Sequence, residues 1–418
     1  MTNTKMDDGR TLKNGWDYAW VLIILLWLVA FLNAADRSIL IAVMPSIKAE
    51  FGLNNTQLAL LNSLFFWVYA VFAFLSGRMG DSVRRSRIII YGLIFWSMAT
   101  GLTALSTGFV MLLAFRGLVA VGEATYYPTA TALISDWHQP RWRSRALSLH
   151  QTGVFAGAGL GAFFAGFLAD RYSWHAPFAI FAVVGIVHAL VLWRFLRDVP
   201  MTNATEIKGE PLSIVFRNSS AVMLCIVFFL ANGASTGVAV WAPTYVYEEL
   251  KLDLAGSALV GSATISIAGF LTVPFGGLLA DWMAKRTPIG RFYTLAIGLT
   301  LAAVLLVPLT STTTAAGVGI VLIATSFGKG IFDGCIYAAM HDVVPPHARA
   351  TAVGAMTMIG FFGAGITPIF VAQASEVFGM AAGMTSLAAL YVLAVGLILA
   401  MQRAIRRAVD ANAAEARA

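Results

Sequence analysis

Gly77-Arg78-Met79-Gly80-Asp81-Ser82-Val83-Arg84-Arg85 and Gly277-Leu278-Leu279-Ala280-Asp281-Trp282-Met283-Ala284-Lys285-Arg286 are two versions of one short loop, roughly two hundred residues apart. Gly77, Asp81 and Arg85 recur in register as Gly277, Asp281 and Lys285, and each set closes a long apolar run. Other matches share this period. Phe31-Leu32 and Pro45 pair with Phe229-Leu230 and Pro243, and Arg145-Ala146-Leu147 pairs with Arg349-Ala350-Thr351. Such a repeat predicts two halves of six helices each, joined by the polar stretch Asp198 to Asn218.

The composition fixes the solvent of those helices. Hydrophobic residues make up 59% of the 418, charged residues only 12%, and the mean hydropathy is +0.78. A soluble globule carries about twice that share of charge. About twelve apolar segments reach the roughly 20 residues that a bilayer crossing needs. The fold class is therefore an all-α polytopic membrane protein. The predicted organisation is a tail (1–16), a first six-helix bundle (17–197), a linker (198–218), a second bundle (219–402) and a C-terminal tail (403–418). The first helix, starting near Asp17, lacks a small-residue cleavage pattern and reads as retained.

The formal charge of +7 is a topology signal. Lys and Arg crowd alternate loops, whereas the opposite set holds only Lys48, Arg171 and Lys251. By the positive-inside rule both termini and the linker are cytoplasmic. Nucleic-acid binding is excluded as an explanation of the basic excess. Cys225 and Cys335 lie in apolar runs and read as small core residues, and His341 and His347 lack metal-ligand spacing, so no metal is expected. No nucleophile motif or sizeable soluble domain suggests an enzyme.

Charges inside the apolar runs are the candidate functional residues. An ionised side chain at mid-membrane costs about 2.5 to 3.5 kcal/mol on insertion scales, so it faces a partner or a watered cavity. Arg116 and Glu123 stand two helical turns apart in the fourth helix, on one face and about 10 Å apart along the axis. Asp36 and Arg37 interrupt the first helix. Neighbours on a helix point about 100° apart, so each needs a partner elsewhere. Asp36 with Arg116 and Arg37 with Glu123 is the expected pairing; the alternative puts Asp36 and Arg37 at the outer membrane edge. Lys329 and Asp333 in the tenth helix have the spacing of an intrahelical ion pair. Tyr127 and Gln151 are candidate hydrogen-bonding contacts, and Gly153, Gly157 and Gly161 form a packing ladder.

The Gly-x-x-x-Asp-x-x-x-Arg/Lys loop after helix 2, repeated after helix 8, resembles the signature loop of the major facilitator superfamily, and the resemblance spans essentially the whole chain. It implies the major facilitator fold, with both loops acting as conformational-switch elements of alternating access. Asp36-Arg37 with Arg116-x6-Glu123 resembles the anion:cation symporter family, which carries sugar acids and other organic anions with protons. The same residues also resemble the Spinster-like lipid transporters. Trp241-Ala242-Pro243-Thr244-Tyr245 and Gly328-Lys329-Gly330 lean toward the anion symporters.

The resemblance implies proton-coupled symport of a small organic anion, a sugar acid or other monocarboxylate; the alternative is a Spinster-like carrier of lysophospholipid or sphingolipid. The site reading assigns Asp36 and Glu123 to proton coupling. Arg37, Arg116, Tyr127, Gln151 and Lys329 bind substrate, and Asp333 is a charge partner. No cofactor is needed beyond protons as coupling ion. The expected partners are the substrate anion, protons and membrane lipid, and the expected state is a monomer in a bacterial inner membrane.

Overall fold

The computed structural model describes residues 18–79, 84–138, 140–198, 213–345 and 348–415. Among them twelve helices are long and apolar enough to cross a membrane. The first six are α1 (Tyr18–Phe51), α2 (Asn55–Met79), α3 (Arg85–Thr103), α4 (Phe109–Trp137), α5 (Pro140–Arg171) and α6 (His175–Phe195). The second six are α7 (Ser219–Leu250), α8 (Leu254–Ala284), α9 (Gly290–Ser311), α10 (Ala315–Val343), α11 (Thr351–Phe378) and α12 (Met380–Ala400). The described residues hold no strand. The expected linker and tails fall partly on residues 1–17, 199–212 and 416–418, outside the described residues.

Several of the membrane helices carry a proline within their length. α1 runs through Pro45 to Phe51, and α7 carries Pro243 within its length. Proline inside a membrane helix is tolerated because neighbouring groups satisfy the carbonyl it frees. Beyond Pro243 the gap is filled by α8, which has a π turn over Leu259–Ala263. A side-chain carbon at Gly261 would stand 2.5 Å from the Pro243 nitrogen. The C-terminal tail does not fray. Gln402–Glu415 is a helix, and Ile405 is fully buried against the second bundle.

Each half contains close backbone-on-backbone packing through glycine. A side-chain carbon at Gly157 of α5 would lie 2.1 Å from the Phe31 carbonyl oxygen of α1, and one at Gly363 of α11 would lie 2.4 Å from that of Phe229 in α7. Phe31 and Phe229 are a matched pair of the repeat, so the two halves carry the same contact twice. The glycine ladder is thus a packing surface: Gly153 meets Trp27 and Gly161 meets Ala35.

Polar contacts join the two halves at the end away from the linker. Lys48 donates to Glu248 at 2.7 Å, and Asn55 donates to Ser375 at 3.3 Å. The Asp170 carboxylate at the end of α5 accepts the first backbone amides of α8, Leu254 at 3.2 Å and Ala255 at 2.9 Å. Nearer mid-height the contact becomes aromatic, with Tyr69 of α2 against Phe361 of α11 at 4.8 Å between ring centroids.

The repeated loop differs between its copies in what can be described. Gly77 is helical, at the end of α2, and Asp81 lies outside the described residues. Arg85 begins α3 and pairs with Asp136 at the end of α4. In the second copy Gly277 and Asp281 lie in α8. Arg291 at the start of α9 bridges Asp281 at 3.1 Å and Asp342 of α10 at 2.7 Å. Lys285 is the exposed C-cap of α8, and its amide bonds the Asp281 carbonyl at 3.2 Å.

Candidate functional site

The site is built where α4 and α10 break. α4 is helical to Glu123, turns at Ala124 and Thr125, and resumes at Tyr126; α10 is helical to Asp333, turns at Gly334 and Cys335, and resumes at Ile336. Each break therefore follows directly on an acid. Each acid is followed four residues later by a tyrosine, Tyr127 and Tyr337. Tyr127 bonds Gln151 of α5, and Tyr337 packs on Phe228 of α7 with ring centroids 6.1 Å apart. Tyr127 is 40% exposed and Tyr337 42%, although both belong to membrane spans.

On the first wall, Arg37 of α1 donates through Nε to Glu123 Oε2 at 2.8 Å. The carboxylate is fully buried, while the arginine side chain is 25% exposed. Glu123 Oε1 has no hydrogen-bond partner. The Arg37 guanidinium lies over the Tyr69 ring at 4.8 Å and also bonds Asn33, one turn earlier on its own helix. A cation over an aromatic face keeps its charge while losing water, so this arginine is held without being sealed off.

Asp36 and Arg116 do not form the ion pair expected for them. Arg116 Nη1 points to the Asp36 backbone carbonyl at 3.5 Å, and its guanidinium packs over Phe65 at 4.8 Å. The Asp36 carboxylate turns instead to α3, where Thr100 donates to Oδ2 at 3.3 Å, and among the described residues Oδ1 has no hydrogen-bond partner. The reason is rotational. Asp36 points away from the face that carries Arg37, toward the packed interior of α1 and α3. Asp36 and Arg116 are only 3% and 2% exposed, so neither is a hydrated surface charge.

Tyr127 and Gln151 meet, the hydroxyl donating to Gln151 Oε1 at 2.7 Å. Tyr127 is not on a continuous turn from Glu123, as the helical spacing implied, because the break intervenes. Beside it Tyr126 is buried and donates to the Leu26 carbonyl at 2.7 Å, with His150 Nε2 also at 2.7 Å. These bonds tie α1, α4 and α5 together and give His150 a structural role.

On the second wall Lys329 Nζ donates to both Asp333 oxygens, at 2.6 and 2.7 Å. The Lys329 side chain is 8% exposed and that of Asp333 36%. Tyr337 was not among the expected site residues, nor were Tyr69 and Phe65. The recurrence of acid-x3-Tyr in both halves was the signal for Tyr337. Phe65 and Tyr69 read only as apolar filling of α2.

The model of the Major Facilitator Superfamily matches residues 26–368. The hexuronate transporter of Bacillus subtilis (strain 168) is 27% identical over 395 residues, covering 89% of this chain and 93% of that protein. Protein spinster of Drosophila melanogaster is 29% identical over 305 residues, covering 69% of this chain; the match spans 50% of that longer protein. The solved structure of a bacterial homologue of the human lysosomal transporter Spinster, inward-facing and unoccupied, superposes with a TM-score of 0.84. It is 20% identical, with 94% of this chain and 98% of that chain covered, and shares the fold.

Proposed function

This chain belongs to the Major Facilitator Superfamily, and on that premise we propose that it is a secondary active transporter carrying a small organic anion together with protons by alternating access. The observation that carries the reading is the Arg37 to Glu123 ion pair, a partly exposed cation held by a fully buried acid. A substrate carboxylate reaching Arg37 competes with Glu123. When the arginine turns to the substrate, Glu123 loses its counter-charge in a medium of low dielectric and takes up a proton. Substrate and proton then favour each other's binding by a shared free energy. The hexuronate transporter's similarity over nearly the whole chain supports an anionic substrate.

Arg37 is the direct contact in this proposal, and Arg116, behind Phe65, adds positive potential and reaches substrate once that ring moves. Tyr127 and Gln151 offer hydrogen bonds at the rim, and Lys329 stands on the opposite wall. Asp36, with one oxygen unpaired, is the second proton site. The contacts that close the end away from the linker leave the hollow facing the linker end. With the basic loops on the cytoplasmic side, this is the inward-facing state of a bacterial inner-membrane protein with both termini inside, acting as a monomer.

A second reading, a Spinster-like carrier of lysophospholipid or sphingolipid, is favoured by the fold likeness to the Spinster homologue. The same cluster would then hold a phosphate-bearing headgroup. Melting-temperature shifts across sugar acids, other carboxylates and lysophospholipids test the choice, since whatever binds the folded state stabilises it. Stabilisation by lysophospholipid alone would overturn the anion reading.

A further inference from the structure

The hollow is two-fold in its chemistry as well as in its helices. Glu123 and Asp333 end equivalent helical segments at equivalent breaks, each holds one cation by ion pairing, and each precedes a half-exposed tyrosine by four residues. The cations come from different places, Arg37 from α1 and Lys329 from α10 itself, and the tyrosine that follows each acid, Tyr127 and Tyr337, is partly exposed although it belongs to a membrane span. A substrate with one carboxylate uses one wall. It leaves Lys329, buried, on the partly exposed Asp333 as a pair that performs no recognition.

We propose that Lys329, Asp333 and Tyr337 form a second carboxylate subsite, and that the substrate is a dicarboxylate spanning the two halves. The inference rests on the organic-anion reading above. One carboxylate draws Arg37 from Glu123, and the other draws Lys329 from Asp333 while accepting a hydrogen bond from the Tyr337 hydroxyl. Because the two cations belong to different halves, a diacid tethers both walls at once, and its length must match the gap between them.

The test is binding by the full-length purified protein to a series of straight-chain α,ω-dicarboxylates from succinate to suberate, each beside its own monomethyl ester. One chain length is expected to bind about tenfold tighter than its ester, an advantage typical of one added ionic contact. In the Lys329→Gln/Asp333→Asn double variant, which leaves no unpaired charge behind, the ratio of diacid to ester affinity is expected to fall below about twofold. Tyr337→Phe is a milder variant that keeps the ring packing, and it is expected to lower the same ratio partially. Esters that bind as well as their diacids overturn the second subsite and leave the organic-anion reading standing, as does a double variant that keeps the full ratio. Absence of any binding by esters and diacids alike, beside binding of a sugar acid, overturns the dicarboxylate subsite alone; absence of binding by sugar acids as well overturns the organic-anion reading, and the second subsite falls with it.

Discussion

Arg37 and Glu123 meet at 2.8 Å across α1 and α4, with the acid sealed and the base open to the hollow. That asymmetry separates their roles. Glu123→Gln keeps the shape of the site and leaves Arg37 free for substrate, so binding and counterflow exchange are expected to persist while proton-driven accumulation disappears. Uptake into proteoliposomes with and without a pH gradient checks this; a Glu123→Gln protein that concentrates substrate like the parent removes Glu123 from the coupling.

Arg37→Ala is expected to weaken substrate binding by about a hundredfold, a loss within the range for removing one member of a buried charge pair. Arg116→Ala should also abolish binding, and unlike Arg37→Ala it should lower the melting temperature strongly, since Arg116 packs on Phe65 and holds the Asp36 carbonyl. Equal melting temperatures for the two variants would contradict their different burial.

Loading both Asp36 and Glu123 with protons for each monoanion carries one net positive charge inward, which the membrane potential favours by about 2.3 kcal/mol per 100 mV. Electrical recording from proteoliposomes is expected to show inward positive current during monoanion uptake and none during uptake of a dianion, whose two charges the two protons cancel. A silent recording during measured uptake leaves at most one proton per monoanion.

Lys48 with Glu248, and Asp170 with the start of α8, must part for the opposite end to open. An exposed pair contributes about 0.2 to 1 kcal/mol. Lys48→Ala with Asp170→Asn is therefore expected to raise the outward-open population several-fold, read as distances between labels placed on α5 and α8. An unchanged distribution would mean that the Asn55 to Ser375 bond and the aromatic contacts of α2 and α11 hold that end shut.

Much of the fold was legible because a membrane helix needs little beyond length and apolarity, and because the Gly-Asp-base loop and the Phe31 and Phe229 repeats survive in both halves. The ion pair of Arg37 and Glu123 was legible for a related reason, since two opposite charges in apolar runs leave few alternatives. The environment of Asp36 was not. One step of helical rotation decides whether it meets Arg116 or Thr100, and sequence does not fix the rotation of one helix against another. The α4 break was hidden too, because Ala124 and Thr125 carry no mark of a turn and Pro128 lies beyond it. Asp136 and Asp342 escaped notice as partners of Arg85 and Arg291, being far from the motif in the chain and adjacent only after folding.

The glycine contacts at Phe31 and Phe229 bear on how such a protein avoids leaking. Where main chains touch, α1 is locked against α5 and α7 against α11, so in the proposed alternating access each pair would move as one block. Two solid blocks rocking on a shared fulcrum, like a seesaw, spread apart on one side only as they press together on the other. In the proposed alternating access, that stiffness would tie the opening of one side to the closing of the other.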